Sequence, residues 1–480
     1  MKHVSKSQGF FVNGLKGLLY ALAVVIYFSY FPVMTLGKSE AMNFELSLPL
    51  LWLVVFDVFA VAMLVHETLF IGVVKKWVIK RWMWLMFPVF VSLSVIWSLN
   101  VVRGVLTVGA MWAVVIAVVS CWELRGFLDD KFKRQWIRVF LTAGVLVCFF
   151  CILQCILDVL GVGREWTLLC EGCTYMSFGF PHPNGFAIEP QFMGNLLLAP
   201  LVCIGWLMFR SWPRPSGPSP RADGANPRAA ALRDAISLKH LAILFCIVGT
   251  TLFLTFSRGA IYAFVVAAVF MTAMAMRQSK RILMIWPMVI LSFLLALNFQ
   301  GILAAVSPTD DTYFTGITKA LNHLSLGVVD VRAMSAEFDG YVAESTEIRK
   351  QMSQNGLAVW RESPKNMLVG VGIGGAGEAM YEAGLTGSPK EIIQNEYVSL
   401  LTETGLLGIV LLLITVGFIS VSAKKYLELT KSKEFLPIVT LAVAYGVTLM
   451  FFSGMANALQ IYLLPVVLMV VLDNKTLRKM

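Results

Sequence analysis

Twelve apolar runs, most of them near 20 residues long, recur from one end of this chain to the other and constrain it to a bundle of membrane helices. They lie at about 18–36, 47–74, 82–99, 101–122, 136–162, 186–210, 239–256, 259–276, 282–305, 396–423, 436–453 and 455–472. A helix of that length matches the hydrocarbon core of a bilayer, about 30 Å thick. Backbone groups in that core need partners within their own segment, so helices are expected throughout. Only 14% of the 480 residues are charged and 58% are hydrophobic. Soluble domains run near 25% charged. The fold class expected is all-α integral membrane, with about 12 transmembrane helices and one large, partly helical outer loop.

The connections alternate in charge. One set is basic: Lys75, Lys76, Lys80 and Arg81, then 125–138, 210–239, 277–281, 424–433 and 475–479. The other is short or acidic: 38–45, 100–103, 163–184, Ser257 with Arg258, the long segment after Val306, and 453–457. Lys and Arg collect on cytoplasmic loops, so both termini are expected inside and the long segment outside. That segment holds eleven Asp and Glu against seven Lys and Arg between Val306 and Glu391. The formal charge of +10 therefore sits on short cytoplasmic loops and calls for no nucleic acid. Lys2, Lys6 and Lys16 before the first run read as an uncleaved signal anchor. Residues 211–237, rich in Pro, Ser, Gly, Ala and Arg, read as a flexible cytoplasmic linker. The expected division is 1–305 with nine transmembrane helices, 306–392 as the large outer loop, and 393–480 with three more.

Within the outer loop, 333–361 mixes charged and apolar residues at helical spacing. One or two helices lying on the membrane face are expected there, with Pro364 stopping the second. Gly372-Ile-Gly-Gly-Ala-Gly377 matches the letters of a dinucleotide fingerprint. That fingerprint needs a strand–turn–helix unit and an acid about 20 residues on. A turn beneath a membrane-facing cavity is expected instead. Cys148, Cys151 and Cys155 share one run at helical spacing and read as buried thiols. Cys170 and Cys173 fall in an outer connection, where a disulfide or two thiols are both open. His3, His66, His182, His240 and His323 show no ligand spacing, and neither a metal nor another cofactor is expected.

Charged residues at span ends cost little, whereas one at a span centre costs about 2.5–3.5 kcal/mol on insertion scales. Asp57 is the costly exception, near the middle of the second run, where it lines a cavity or meets a neighbouring helix. Arg258 opens the eighth run after a very short turn, so its guanidinium is held at the outer surface on rigid elements. That planar fork of donors suits phosphate oxygens, though an arginine there can also anchor lipid head groups. Arg103, Arg164, His182, Glu189 and Arg349 are further rim candidates.

Three pieces occur in order. Ser257-Arg-Gly-Ala260 opens a run. Arg349, Trp360, Pro364 and Gly370-Val-Gly-Ile-Gly374 follow in the outer loop. Gln394-Asn-Glu-Tyr-Val-Ser-Leu-Leu-Thr-Glu-Thr-Gly-Leu-Leu-Gly408 then enters the next run. Over about residues 250–410 this set resembles the O-antigen ligase and O-antigen polymerase superfamily of bacterial envelope glycan enzymes. The resemblance implies a GT-C-like glycosyltransferase of the bacterial inner membrane, moving a glycan from an undecaprenyl-diphosphate carrier to a sugar hydroxyl at the periplasmic face. It implies that Arg258 and Arg349 hold the diphosphate. Gln394 and Glu189 are then further catalytic candidates, and Asn395, Tyr397, Arg164, His182 and Arg103 substrate-binding ones. Ligases commonly carry His-Asn where this chain has Gln394-Asn395. Glutamine cannot take a proton at neutral pH, which favours a polymerase-like member over a ligase acting on lipid A-core. Expected partners are the lipid-linked donor, a glycan or lipid A-core acceptor, membrane lipids, and a chain-length regulator or flippase.

Elementary chemistry points the same way. Breaking a sugar–diphosphate bond puts charge on the leaving group, and fixed cations aimed at it lower the barrier without a metal. The acceptor hydroxyl needs a base or an orienting group, for which Glu396, Glu403, Glu189 and His182 are open. The competing class is a transporter or flippase for an anionic or lipid-linked solute. Inverted repeats or matched broken helices would mark one, and neither is evident.

Overall fold

A computed structural model describes residues 6–471 except 30–31, 40–41, 68, 171, 212–237, 277–279, 310, 326–338, 431–434 and 453–458. The expected linker at 211–237 and the basic tail at 475–479 fall on residues outside those described, but for Ser211.

Helix dominates the described chain. In order come α1 (Lys6–Val25), a hairpin of β1 (Pro32–Ser39) and β2 (Met42–Ser47), α2 (Leu48–His66), α3 (Phe70–Lys75), α4 (Met86–Ser94), α5 (Val101–Leu124) and α6 (Asp130–Val159). Then follow α7 (Arg164–Thr167), α8 (Tyr175–Phe178), α9 (Pro190–Ser211), α10 (Leu238–Leu254), α11 (Arg258–Met276), α12 (Ile285–Val306) and α13 (Tyr313–Leu324). The last are α14 (Asp339–Arg361), α15 (Pro364–Val369), α16 (Ala376–Glu382), α17 (Glu396–Thr430), α18 (Phe435–Thr448) and α19 (Leu459–Val471).

Each of the twelve apolar runs overlaps an apolar helix. Seven helices are long and apolar enough to cross a membrane, at 48–66, 101–127, 130–159, 190–209, 258–276, 282–306 and 396–422. The helices at 9–25, 86–97, 238–254, 436–448 and 461–471 are shorter. The chain is a multi-pass membrane protein.

Two elements depart from the sequence expectation. The first helix ends at Val25, and part of the run placed at 18–36 is instead the first strand of the antiparallel hairpin. Pro32 and Gly37 disfavour helix there, and β-branched Val33 and Thr35 suit a strand. The all-α reading therefore has one exception among the described residues. Helix α14 ends at Arg361, ahead of Pro364 as expected, but Pro364 does more than mark that end. It opens α15, with Ser363 Oγ accepting from the Asn366 N–H at 3.1 Å. At the first helical position its missing N–H leaves no bond unmade.

Contacts divide the chain into two compact units. One comprises 1–139, 341–433 and 446–472; the other comprises 140–340, 434–445 and 473–480. In the first, Phe87, Val91, Met111 and Ile373 form a core to which Leu400 and Leu411 of α17 contribute. Asp57 of α2 is buried here and its Oδ1 finds no hydrogen-bond partner among the described residues. In the second, α9 is enclosed on nearly every side. Gly194 lets α9 approach the start of α11, since a Cβ there would lie 2.7 Å from that of Ala260.

Candidate functional site

The sequence places Arg258 at the first position of α11, and the local chemistry explains how. Thr255 Oγ1 accepts from the Ser257 N–H at 3.3 Å, and Ser257 Oγ accepts from the Ala260 N–H at 3.5 Å. These hydroxyls cap the helix and leave Arg258 half-buried at its positive end. The turn is strained. Phe256 has a φ of +48°, a left-handed conformation in which a bulky residue is an outlier. His323 of α13 holds it, with Nε2 3.1 Å from the Phe256 carbonyl oxygen. A carbonyl only accepts, so Nε2 carries the proton of this histidine.

His182 packs into the same cluster. Its ring centroid lies 4.0 Å from Phe178, 4.7 Å from Phe180, 5.5 Å from Phe256 and 5.5 Å from His323. It is buried, and its Nε2 has no hydrogen-bond partner among the described residues. Burial pushes the imidazole well below the ordinary histidine range, and His323 and Arg258 push it the same way. The ring is therefore neutral at neutral pH.

The connection carrying His182 is tied down from several sides. Cys170 and Cys173 are disulfide-bonded, and the Cys173 carbonyl accepts from the His182 N–H at 2.9 Å. Buried Gln154 donates to the carbonyls of Thr167 and Gly185 and accepts from the Gly185 N–H at 2.8 Å. Tyr175 donates to Asp311 at 2.7 Å, and Lys319 of α13 pairs with the same carboxylate at 2.7 Å. Burial would raise the Asp311 carboxyl, but the hydrogen bonds and charge of Lys319 and Tyr175 outweigh it and hold it below the ordinary range. Arg164 is exposed and donates to the Leu169 carbonyl at 3.4 Å. Glu189 is exposed just before Pro190, and its carbonyl accepts from Phe192 at 3.1 Å.

The first unit holds the other candidates. Helix α17 breaks at Gly405, with φ +63° and ψ −171°. The glycine-rich run docks on the turn preceding this break. Val371 N–H donates to Thr402 at 3.0 Å and Gly372 N–H to Glu403 at 2.9 Å. Ser98 Oγ donates to the Ile373 carbonyl at 2.8 Å, and Ser94 Oγ accepts from the Ile373 N–H at 3.2 Å. The Glu403 side chain then accepts from the N–H groups of Gly374 and Ala376, beside the charge of Arg103. The run is an anion nest, and the chain's own carboxylate fills it. Neither Glu403 nor Arg103 stands apart from this framework.

At the entry to α17, Asn395 is a cap, its Oδ1 accepting from Tyr397 at 3.1 Å and Val398 at 3.2 Å. Tyr397 donates to the Gly446 carbonyl at 2.7 Å. Glu396 is buried and accepts from Tyr462 at 3.5 Å. Gln394 is half-buried just before the cap. Arg349 lies on α14, also half-buried. Arg258, His182, Glu189 and Arg164 thus belong to one unit, and Arg103, Arg349, Gln394, Asn395 and Tyr397 to the other. His323, Gln154 and the Asp311–Lys319 pair escaped the sequence reading. His323 and Asp311 find partners far along the chain, at Phe256 and Tyr175, whereas Lys319 pairs with Asp311 within the same stretch of sequence.

Residues 242–413 match the family model described as O-antigen ligase. The matched segment, about a third of the chain, is similar to that family and takes in Arg258, Arg349, Gln394, Asn395 and Tyr397. No curated protein matches the chain.

Proposed function

We propose that the protein is a glycosyltransferase of the bacterial inner membrane that moves an undecaprenyl-diphosphate-linked glycan onto a sugar hydroxyl at the periplasmic face, without a metal, as a polymerase. Both termini are cytoplasmic in this reading. The observation that carries it is Arg258, fixed at the start of α11 by a strained turn and by His323. Strain held in place by its surroundings is typical of positions where a group must be kept ready.

The bond between the anomeric carbon and the diphosphate oxygen breaks, and its electron pair leaves with the polyprenyl diphosphate. The acceptor hydroxyl oxygen bonds to the same carbon, and its proton goes to a base. Arg258 and Arg349 meet the charge on the leaving group. Gln394, which cannot take the proton, orients the hydroxyl. Of the four candidate bases, Glu403 and Glu396 are committed to internal hydrogen bonds. His182 and Glu189 remain, and His182 is the one that interacts with Arg258.

The test is glycan analysis of cells carrying Arg258→Ala or Arg349→Ala. Removing one such cation should slow transfer about 100- to 1,000-fold. Loss of long chains with intact lipid-linked single units supports a polymerase. Long lipid-linked chains that never reach the acceptor indicate a ligase. Normal glycans with lost solute uptake overturn the enzyme in favour of a transporter.

A further inference from the structure

Helix α2 ends at His66 and α4 begins at Met86, and the chain between them is too short to cross a bilayer. Helix α3 passes there into one π-helical turn, Lys76–Lys80, a rare and wider form of helix often found at functional sites. Its apolar side chains are left open. Ile71, Val74 and Val78 recur at the spacing of one helix face, and Ile71 and Val78 are 69% and 55% exposed. Phe70 and Ile79 extend the open stretch. An exposed apolar stripe beside a membrane-crossing helix meets the acyl chains of the bilayer.

A basic cluster shares this stretch. Arg81 stands against two indoles, its Cζ 4.7 Å from the Trp77 ring centroid and 5.5 Å from that of Trp84. Lys76 pairs with Glu123 of α5 at 2.7 Å, and Trp77 Nε1 donates to the same carboxylate at 3.0 Å. Arg81 comes only to 4.0 Å from it, and its Nη1 makes no hydrogen bond among the described residues. Arg125, stacked over Trp122, is a further cation within electrostatic reach of Arg81. Three cations thus share one carboxylate, and an external anion would balance them. The Arg81 side chain, 27% exposed, is open to receive it.

We infer that this corner binds an anionic phospholipid, its phosphate beside Arg81 and its acyl chains along Ile71, Val74 and Val78. Neither half selects the ligand alone. A free phosphate gains nothing from the apolar stripe, and a zwitterionic lipid gains little from surplus positive charge. The site does not rest on the proposed function.

Native mass spectrometry of the full-length protein, titrated with phosphatidylglycerol or with phosphatidylcholine of the same acyl chains, tests it. The wild-type chain should hold one phosphatidylglycerol under conditions that strip phosphatidylcholine, and inorganic phosphate should not displace it. Arg81→Gln should weaken phosphatidylglycerol binding about fivefold. Lys239→Gln, the same loss of charge at an exposed position on α10, should bind as wild type. Should Arg81→Gln fail to fold, Glu123→Gln decides: without the competing carboxylate, tighter binding supports the site and unchanged or weaker binding overturns it. Equal retention of the two lipids, displacement by phosphate, unchanged binding in folded Arg81→Gln, or an equal loss in Lys239→Gln also overturns it.

Discussion

His182 has its charged state disfavoured by burial, by His323 and by Arg258. In the unfolded chain it would titrate near 6.5. Below that pH the unfolded state binds a proton that the folded state refuses, so stability is intact above about 6.5 and falls as the pH drops beneath it. Thermal unfolding followed from pH 8 to 5.5 should show this decline, and His182→Phe should flatten it. At Phe256 two magnitudes compete. Phe256→Gly relieves about 1–3 kcal/mol of backbone strain but forfeits about 3–5 kcal/mol of ring burial. The ring is 2% exposed, so net destabilisation is expected in denaturant unfolding. His323→Gln keeps a donor for the Phe256 carbonyl and should retain transfer activity better than His323→Leu. The leucine leaves that carbonyl unpaired at about 1–3 kcal/mol.

Glycines divide sharply among the elements. At Gly370 a Cβ would stand 2.3 Å from the Glu403 backbone, and at Gly405 one would stand 2.4 Å from that of Leu368; both have positive φ. Gly384 shares the positive φ, +66°, but a Cβ there meets nothing within 4 Å. Gly370→Ala and Gly405→Ala should therefore abolish the folded protein in detergent. Gly384→Ala should cost only the conformational strain, about 1 kcal/mol. The same contrast explains what the sequence conveys. Apolar runs carry their length and period within themselves, so their overlap with helices was legible. The hairpin at 32–47 was not, because the apolar character of Phe31 and Leu36 hid the breaks at Pro32 and Gly37. Glu403 looked like a base until Gly374 and Ala376, some 30 residues earlier, were seen to enclose it. Arg258 was legible because the turn that presents it is local.

For the whole molecule, acid response and orientation are the measurable properties. Asp311 is held below the ordinary carboxylate range by Lys319 and Tyr175, so its contribution is present above about pH 4 and lost as pH falls through its lower folded value. Asp311→Asn should cost about 2 kcal/mol at neutral pH and less in acid, as read by unfolding at the two pH values. If the long segment faces the periplasm, Glu347→Cys, which is exposed, should react with an impermeant maleimide in intact spheroplasts. Lys75→Cys should react only after permeabilisation. The carboxylate in the glycine nest has a wider meaning. Peptide amides of Gly374 and Ala376 that could greet a passing nucleotide are already engaged by the Glu403 side chain. Millimolar nucleoside diphosphate should therefore leave the melting temperature unmoved.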